Sequence, residues 1–185
     1  MKLFFCLLLS LSFLSVNAQS SLGEIFKQQM INDWERAKAY TGEYLEAMPA
    51  DKYSFRAVDS VRSFAQQMLH LAQANAGLTF IATGVQNNMT KIFFASKIED
   101  SPTAQTKDSV VYYVNASYDV AINAIKNMDA SALGEEVSRD LPGGKRTATR
   151  LAWLLKAFEH QTHHRGQCTI YIRLLGIRPP AEKLF

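Results

Sequence analysis

Four histidines occur in the 185-residue chain, and three of them fall in the run His160-Gln-Thr-His163-His164. A neutral imidazole offers a nitrogen lone pair at ordinary pH, which makes histidine the commonest protein ligand for borderline divalent ions. On a helix, His160 and His164 stand four residues apart, so both face the same way about one turn from each other. That spacing lets two imidazoles grip one ion, as in the helix motif of zinc proteases. His163 lies about 100° around the helix from His164, which suits a supporting role better than ligation from the same helix. Gln161 stands where the protease motif places its glutamate, so this is a different use of the spacing.

The residues around the pair extend the argument. On a helical wheel Trp153, Ala157, His160, His164, Gln167 and Tyr171 form one stripe, and Leu151, Leu154, Leu155, Phe158 and Ile172 form another nearly opposite. A helix apolar on two sides is buried on two sides. One side is expected to build aliphatic core and the other to line a cavity of mixed polarity, with Gln167 and Tyr171 placed to orient water or substrate. Two imidazoles rarely make a tight site alone. The remaining histidine, His70, shares a small, polar stripe with Gln66, Gln67, Ala74 and Gly77, away from the apolar arc of Val61, Phe64, Ala65, Met68, Leu71 and Ala72. Periodicity therefore leaves His70 open between a surface residue and a third ligand, and Asp or Glu side chains remain alternatives. Glu159 faces away from the pair. Arg165 reads as an ion-pair or capping partner, and Cys168 as a packing residue beside the stripe.

These residues need elements to position them. Residues 3–16 form an apolar run after Lys2, and Val16-Asn17-Ala18 ends it with residues acceptable to a signal peptidase. Residues 1–18 are read as a cleaved export signal, and residues 19–185 as one domain, long enough to bury a core without staples. Removal of the signal leaves Cys168 as the only cysteine, so no internal disulfide forms. The formal net charge is +3 and the basic residues are scattered, which argues against tracking a nucleic-acid backbone. No later stretch approaches membrane-spanning length. Helical patterns cover residues 22–47, 56–83, 106–128 and 147–175, punctuated by Pro49, Gly84, Pro102 and Gly176. The segment 85–104 reads as a mixed connection, and the stretch closing in Leu141-Pro-Gly-Gly144 as turns without a strand period. Four long helices predict an all-α four-helix bundle, with longer loops after the second and third helices that suit crossover connections.

With these residues placed, the sequence resembles the DinB-like (YfiT-like) family of four-helix-bundle proteins. The stretch His160-Gln-Thr-His-His-Arg-Gly-Gln167, continuing into Tyr171-Ile-Arg-Leu-Leu-Gly176, carries most of the resemblance. Val61-Arg-Ser-Phe-Ala-Gln-Gln-Met-Leu-His70 looks like the family's second-helix segment, and Leu141-Pro-Gly-Gly144 like the loop before its last helix. The resemblance implies one divalent metal ion, zinc or nickel, held by His70, His160 and His164. It also implies association as homodimers and, in some relatives, transfer of groups on low-molecular-weight thiols or hydrolysis. The exported address expected here, periplasmic or secreted, argues against a thiol co-substrate.

Three neutral imidazoles leave coordination positions open, the pattern of catalytic rather than structural zinc. The expected function is metal-dependent hydrolysis or group transfer on a small molecule. The competing reading is a binding module that holds metal or ligand without turnover, or a helical interaction protein. Imidazole ligands alone do not choose among zinc, nickel, copper and iron.

Overall fold

The computed structural model describes the backbone of residues 2–95, 97–141 and 143–185, with side chains from residue 22 onward. The main elements are helices α1 (Lys2–Ala47), α2 (Phe64–Thr83), α3 (Asn88–Ala95) and α4 (Lys107–Asn127), strands β1 (Glu136–Leu141) and β2 (Gly144–Thr149), and helix α5 (Arg150–Leu174). The segment read as an export signal, residues 1–18, lies outside the residues whose side chains are described. Among those that are described, no helix is long and apolar enough to cross a membrane.

Local signals explain most of the boundaries. α1 ends at Ala47, ahead of Pro49, which disfavours helix in the residue before it. α2 does not begin near position 56 as periodicity suggests. Ser63 caps it in a complete capping box, its side chain accepting from the Gln66 amide while Gln66 Oε1 accepts from the Ser63 amide. The eight residues before that form an irregular connection in which Ala65 N donates to Tyr53 O and Phe64 N to Phe55 O. Gly84, at φ 74°, closes α2 in the left-handed conformation that glycine adopts without steric cost. α5 begins at Arg150, capped by Thr149, rather than at Thr147.

The turn-rich segment before α5 is an antiparallel hairpin, with Glu136 opposite Thr149 and Leu141 opposite Gly144. Its strands are largely exposed, and only Val137, Leu141 and Ala148 lean on the core. Trp153 Nε1 donates to Val137 O at 3.1 Å and fixes the hairpin against α5.

The four long helices close a ring in which α1 packs on α4, α4 on α2, α2 on α5 and α5 on α1. Chain neighbours α1 and α2 therefore stand diagonally, as do α4 and α5. The crossovers are the connections after α1 and α4. The long segment after α2, expected to cross over, joins two adjacent helices. Inside the ring, Trp34 meets Tyr118 and Phe158 edge to face, both at 5.7 Å. Val110, Val114, Tyr118, Ala121, Ile122 and Ile125 bury one face of α4, as their spacing predicts. Leu155, expected on the aliphatic core side of its helix, is 48% exposed.

Candidate metal centre

The antiparallel pairing of α2 and α5 brings the histidines together. Arg150 Nη1 donates to Ala82 O at 2.9 Å, tying the start of α5 to the end of α2. At the other end Tyr171 Oη donates to Arg62 O at 2.6 Å. His70 thereby faces the one-turn step between His160 and His164. Ring centroids lie 4.4 Å apart for His160 and His164, 4.6 Å for His70 and His164, and 5.2 Å for His70 and His160. One nitrogen from each ring falls within 4.8 Å of the others.

The outer nitrogens are held in two of the three rings. His164 Nδ1 donates to Gln67 Oε1 at 2.7 Å, and an amide oxygen can only accept, so the proton sits on Nδ1 and the Nε2 lone pair is free. His70 Nδ1 meets Glu99 Oε2 at 2.8 Å, which selects the same tautomer. A carboxylate or carbonyl behind a histidine is the usual way of orienting it as a ligand and raising its basicity. His160 Nδ1 is buried with no hydrogen-bond partner among the described residues. Such a nitrogen costs about 1–3 kcal/mol if left unsatisfied.

All three rings are in the form that binds metal. Burial first, and then the neighbouring rings, push His164 down to about 3 and His160 down to about 4. His70 is lowered by burial and by the Arg62 guanidinium, with Glu99 opposing. Three neutral imidazoles converging from two helices, two of them braced from behind, fit one divalent ion by donor type and by orientation.

Three cavities meet at the cluster. A polar cleft of about 570 Å³ reaches His163 and His164 and is edged by Arg56, Arg62, Gln66 and Gln167. A smaller hollow of about 330 Å³ opens on His70 beside Gln73, Lys97 and Glu99. A third, of about 390 Å³, touches His160 and His163 and is walled by Leu78, Leu141 and Trp153.

The supporting residues divide. His163 is exposed, with its ring 5.0 Å from that of His164 and its Nε2 3.0 Å from Gln167 Nε2. Gln167 edges the polar cleft, and its Oε1 is buried without a partner among the described residues. Tyr171 turns away from the cleft to hold the Arg62 backbone. Arg165 is neither cap nor ion pair among the described residues. It is buried over the Tyr40 ring at 4.7 Å and donates to Gln161 Oε1, within a network that includes Tyr118 and Thr41. Cys168 is fully buried, and burial pushes its thiol up, which makes it a packing residue. Glu159 is exposed and paired with Lys156.

Sequence reasoning left out Glu99, the residue behind His70, and Arg62, whose positive charge acts on the cluster. Glu99 lies in the connection between α3 and α4, where no periodicity relates it to a helix face. Arg62 sits just before the capping box, and recognising Ser63 as the cap would have placed it at the mouth of the site.

The same architecture occurs in solved structures. A DinB-like protein from Bacillus cereus ATCC 10987 superposes with a TM-score of 0.68 at 17% identity, covering 84% of this chain and 97% of its own. A DinB-like protein from Bacillus subtilis gives 0.61 at 20% identity, covering 85% and 96%. A conserved protein from Enterococcus faecalis gives 0.63 at 16% identity, covering 80% and 96%. No curated protein matches the sequence. The model of the DinB family matches residues 17–184, and with fold and sequence in agreement the chain belongs to the DinB family.

Proposed function

We propose that this protein is an exported DinB-family metalloprotein in which His70, His160 and His164 hold one divalent ion, zinc or nickel, for hydrolysis or group transfer on a small molecule. The observation that carries the reading is the pair of braces behind the cluster: Gln67 on His164 and Glu99 on His70 turn lone pairs inward. A bound divalent ion would supply polarisation of a substrate oxygen and a water that ionises near neutral pH.

The protein's own residues would do the rest. Arg62, beside the cluster and edging the polar cleft, offers a fixed positive charge where negative charge would collect on a substrate. Gln167 lines the same cleft and would orient a polar substrate group or water there. Glu99 braces His70 and lies 3.4 Å from Arg62, so it positions both groups. Export would follow from cleavage after Ala18, and the mature chain would then begin at Gln19. The chain would work as a homodimer, as the family resemblance implies.

One observation favours a second reading, a binder without turnover. Glu99, the carboxylate in contact with the cluster, is already engaged with both His70 and Arg62. The two readings separate on turnover. Esters, amides, phosphoesters and thiol acceptors are screened with metal-loaded and with chelated protein. The enzyme reading expects turnover that disappears on chelation and returns on reloading. Turnover indifferent to chelation would overturn it, and the absence of turnover across all classes would leave the binder.

A further inference from the structure

The cluster stands between two cavities of opposite character, and His163 borders both. On one side the polar cleft is lined by charges of both signs, Arg56 and Arg62 with Asp59, Glu99 and Asp100, and by the amides of Gln66 and Gln167. On the other, Leu78 from α2, Leu141 from the hairpin and Trp153 from α5 wall a cavity of about 390 Å³ that ends on His160. The charged residues at its rim, Lys156 and Glu159, neutralise each other at 2.5 Å. The rim therefore offers no lone charge to a ligand. The walls are held in place. Trp153 is only 5% exposed and its indole is fixed by the bond to Val137 O. Leu141 is carried at the end of β1, where the hairpin lies against the core.

We propose that the site takes an amphiphilic small molecule, its polar group in the Arg62–Gln167 cleft and an alkyl or aryl group in the Leu78–Leu141–Trp153 cavity. The three histidines then face the junction of the two parts. A ligand apolar throughout would strip water from the cleft's charged and amide groups without offering them a hydrogen bond. One polar throughout would leave the apolar cavity to water, which gains little there. A molecule with both parts satisfies both walls. The proposal rests on the histidine cluster being the reactive centre, but the apolar subsite can be tested without that assumption.

The probes are straight-chain carboxylates from butyrate to decanoate, titrated against metal-loaded and against chelated protein. The readout is intrinsic fluorescence. The chain has two tryptophans, and Trp34 is wholly buried among Tyr118 and Phe158, so ligand-dependent change reports on Trp153. Affinity should rise by about fourfold for each added methylene that enters the cavity, and level off once the cavity is full. In Leu141→Asn the dependence on chain length should flatten, while metal content and butyrate affinity hold. Leu78→Gln serves the same purpose if the hairpin variant does not fold. Affinity independent of chain length, or a length dependence untouched by both variants, would overturn the proposal. Failure of the metal reading would show separately, as protein without bound ion that retains the chain-length response at Trp153.

Discussion

Gln67 is the residue whose replacement interrogates the site most sharply without touching a ligand. Its side chain and that of His164 are each only 6% exposed, and the 2.7 Å bond between them is the sole partner described for His164 Nδ1. In Gln67→Leu the shape is roughly kept and the acceptor is lost. The Nδ1 proton then has no partner in a buried place, which costs about 1–3 kcal/mol. The ring can escape part of this by moving its proton to Nε2, but that nitrogen then no longer offers a lone pair to the cluster. Either way the ligand-competent form becomes less favourable by about 1.4–2.7 kcal/mol, which corresponds to a loss of about 10- to 100-fold in metal affinity. Competition against a chromophoric chelator measures that loss directly. Gln67→Glu keeps an acceptor and strengthens it, so it should hold or exceed the wild-type affinity. If Gln67→Leu changes affinity by less than twofold in a folded protein, the brace is not acting on a ligand and the reasoning fails.

Three further outcomes follow from the same structure. The pH dependence has a definite sign. The folded state holds its imidazole pKa values below the ordinary value of about 6.5, so the unfolded chain takes up protons first as pH falls. Metal-free protein should lose stability below about pH 6.5, continuing toward the folded values of about 4 for His160 and about 3 for His164. His164 alone contributes a slope of at most about 1.4 kcal/mol per pH unit. Thermal unfolding of chelated protein at pH 8, 6 and 5 checks this, and a flat Tm across that range would contradict it. His163→Ala should leave metal content intact, since His163 is exposed and outside the three-nitrogen cluster; loss of the ion would show that it ligates. Tyr118→Phe removes a fully buried hydroxyl that joins Thr41 to Gln161. It should cost about 1–3 kcal/mol in denaturant unfolding without changing metal affinity.

How legible the site was depends on how local its evidence is. The His160–His164 pair follows from spacing within one helix, and the structure places both rings on the cluster. His70 did not follow from periodicity, because α2 packs on α4, α5 and α3 at once and its strongest apolar arc marks only the core side. His70 sits on the other side of α2 from that arc, where the helix meets His160 and His164 of α5, and the family resemblance was needed to select it. Glu99 had no signal, being 29 residues from its partner in an irregular connection. The hairpin escaped notice because its strands carry few apolar residues and lie mostly in solvent, so the alternation that marks a half-buried strand is weak. The start of α2 was misplaced by seven or eight residues, although Ser63 and Gln66 spell a capping box at the true boundary.

The central claim is that three histidines from two helices hold one divalent ion. Elemental analysis of purified mature protein, alongside His70→Ala, His160→Ala and His164→Ala, tests it most directly. The account predicts about one zinc or nickel ion per chain, removed by chelation, and its loss in each of the three variants while the helical fold persists. Wild-type protein that takes up no ion when either metal is supplied, or variants that keep their metal, would contradict it.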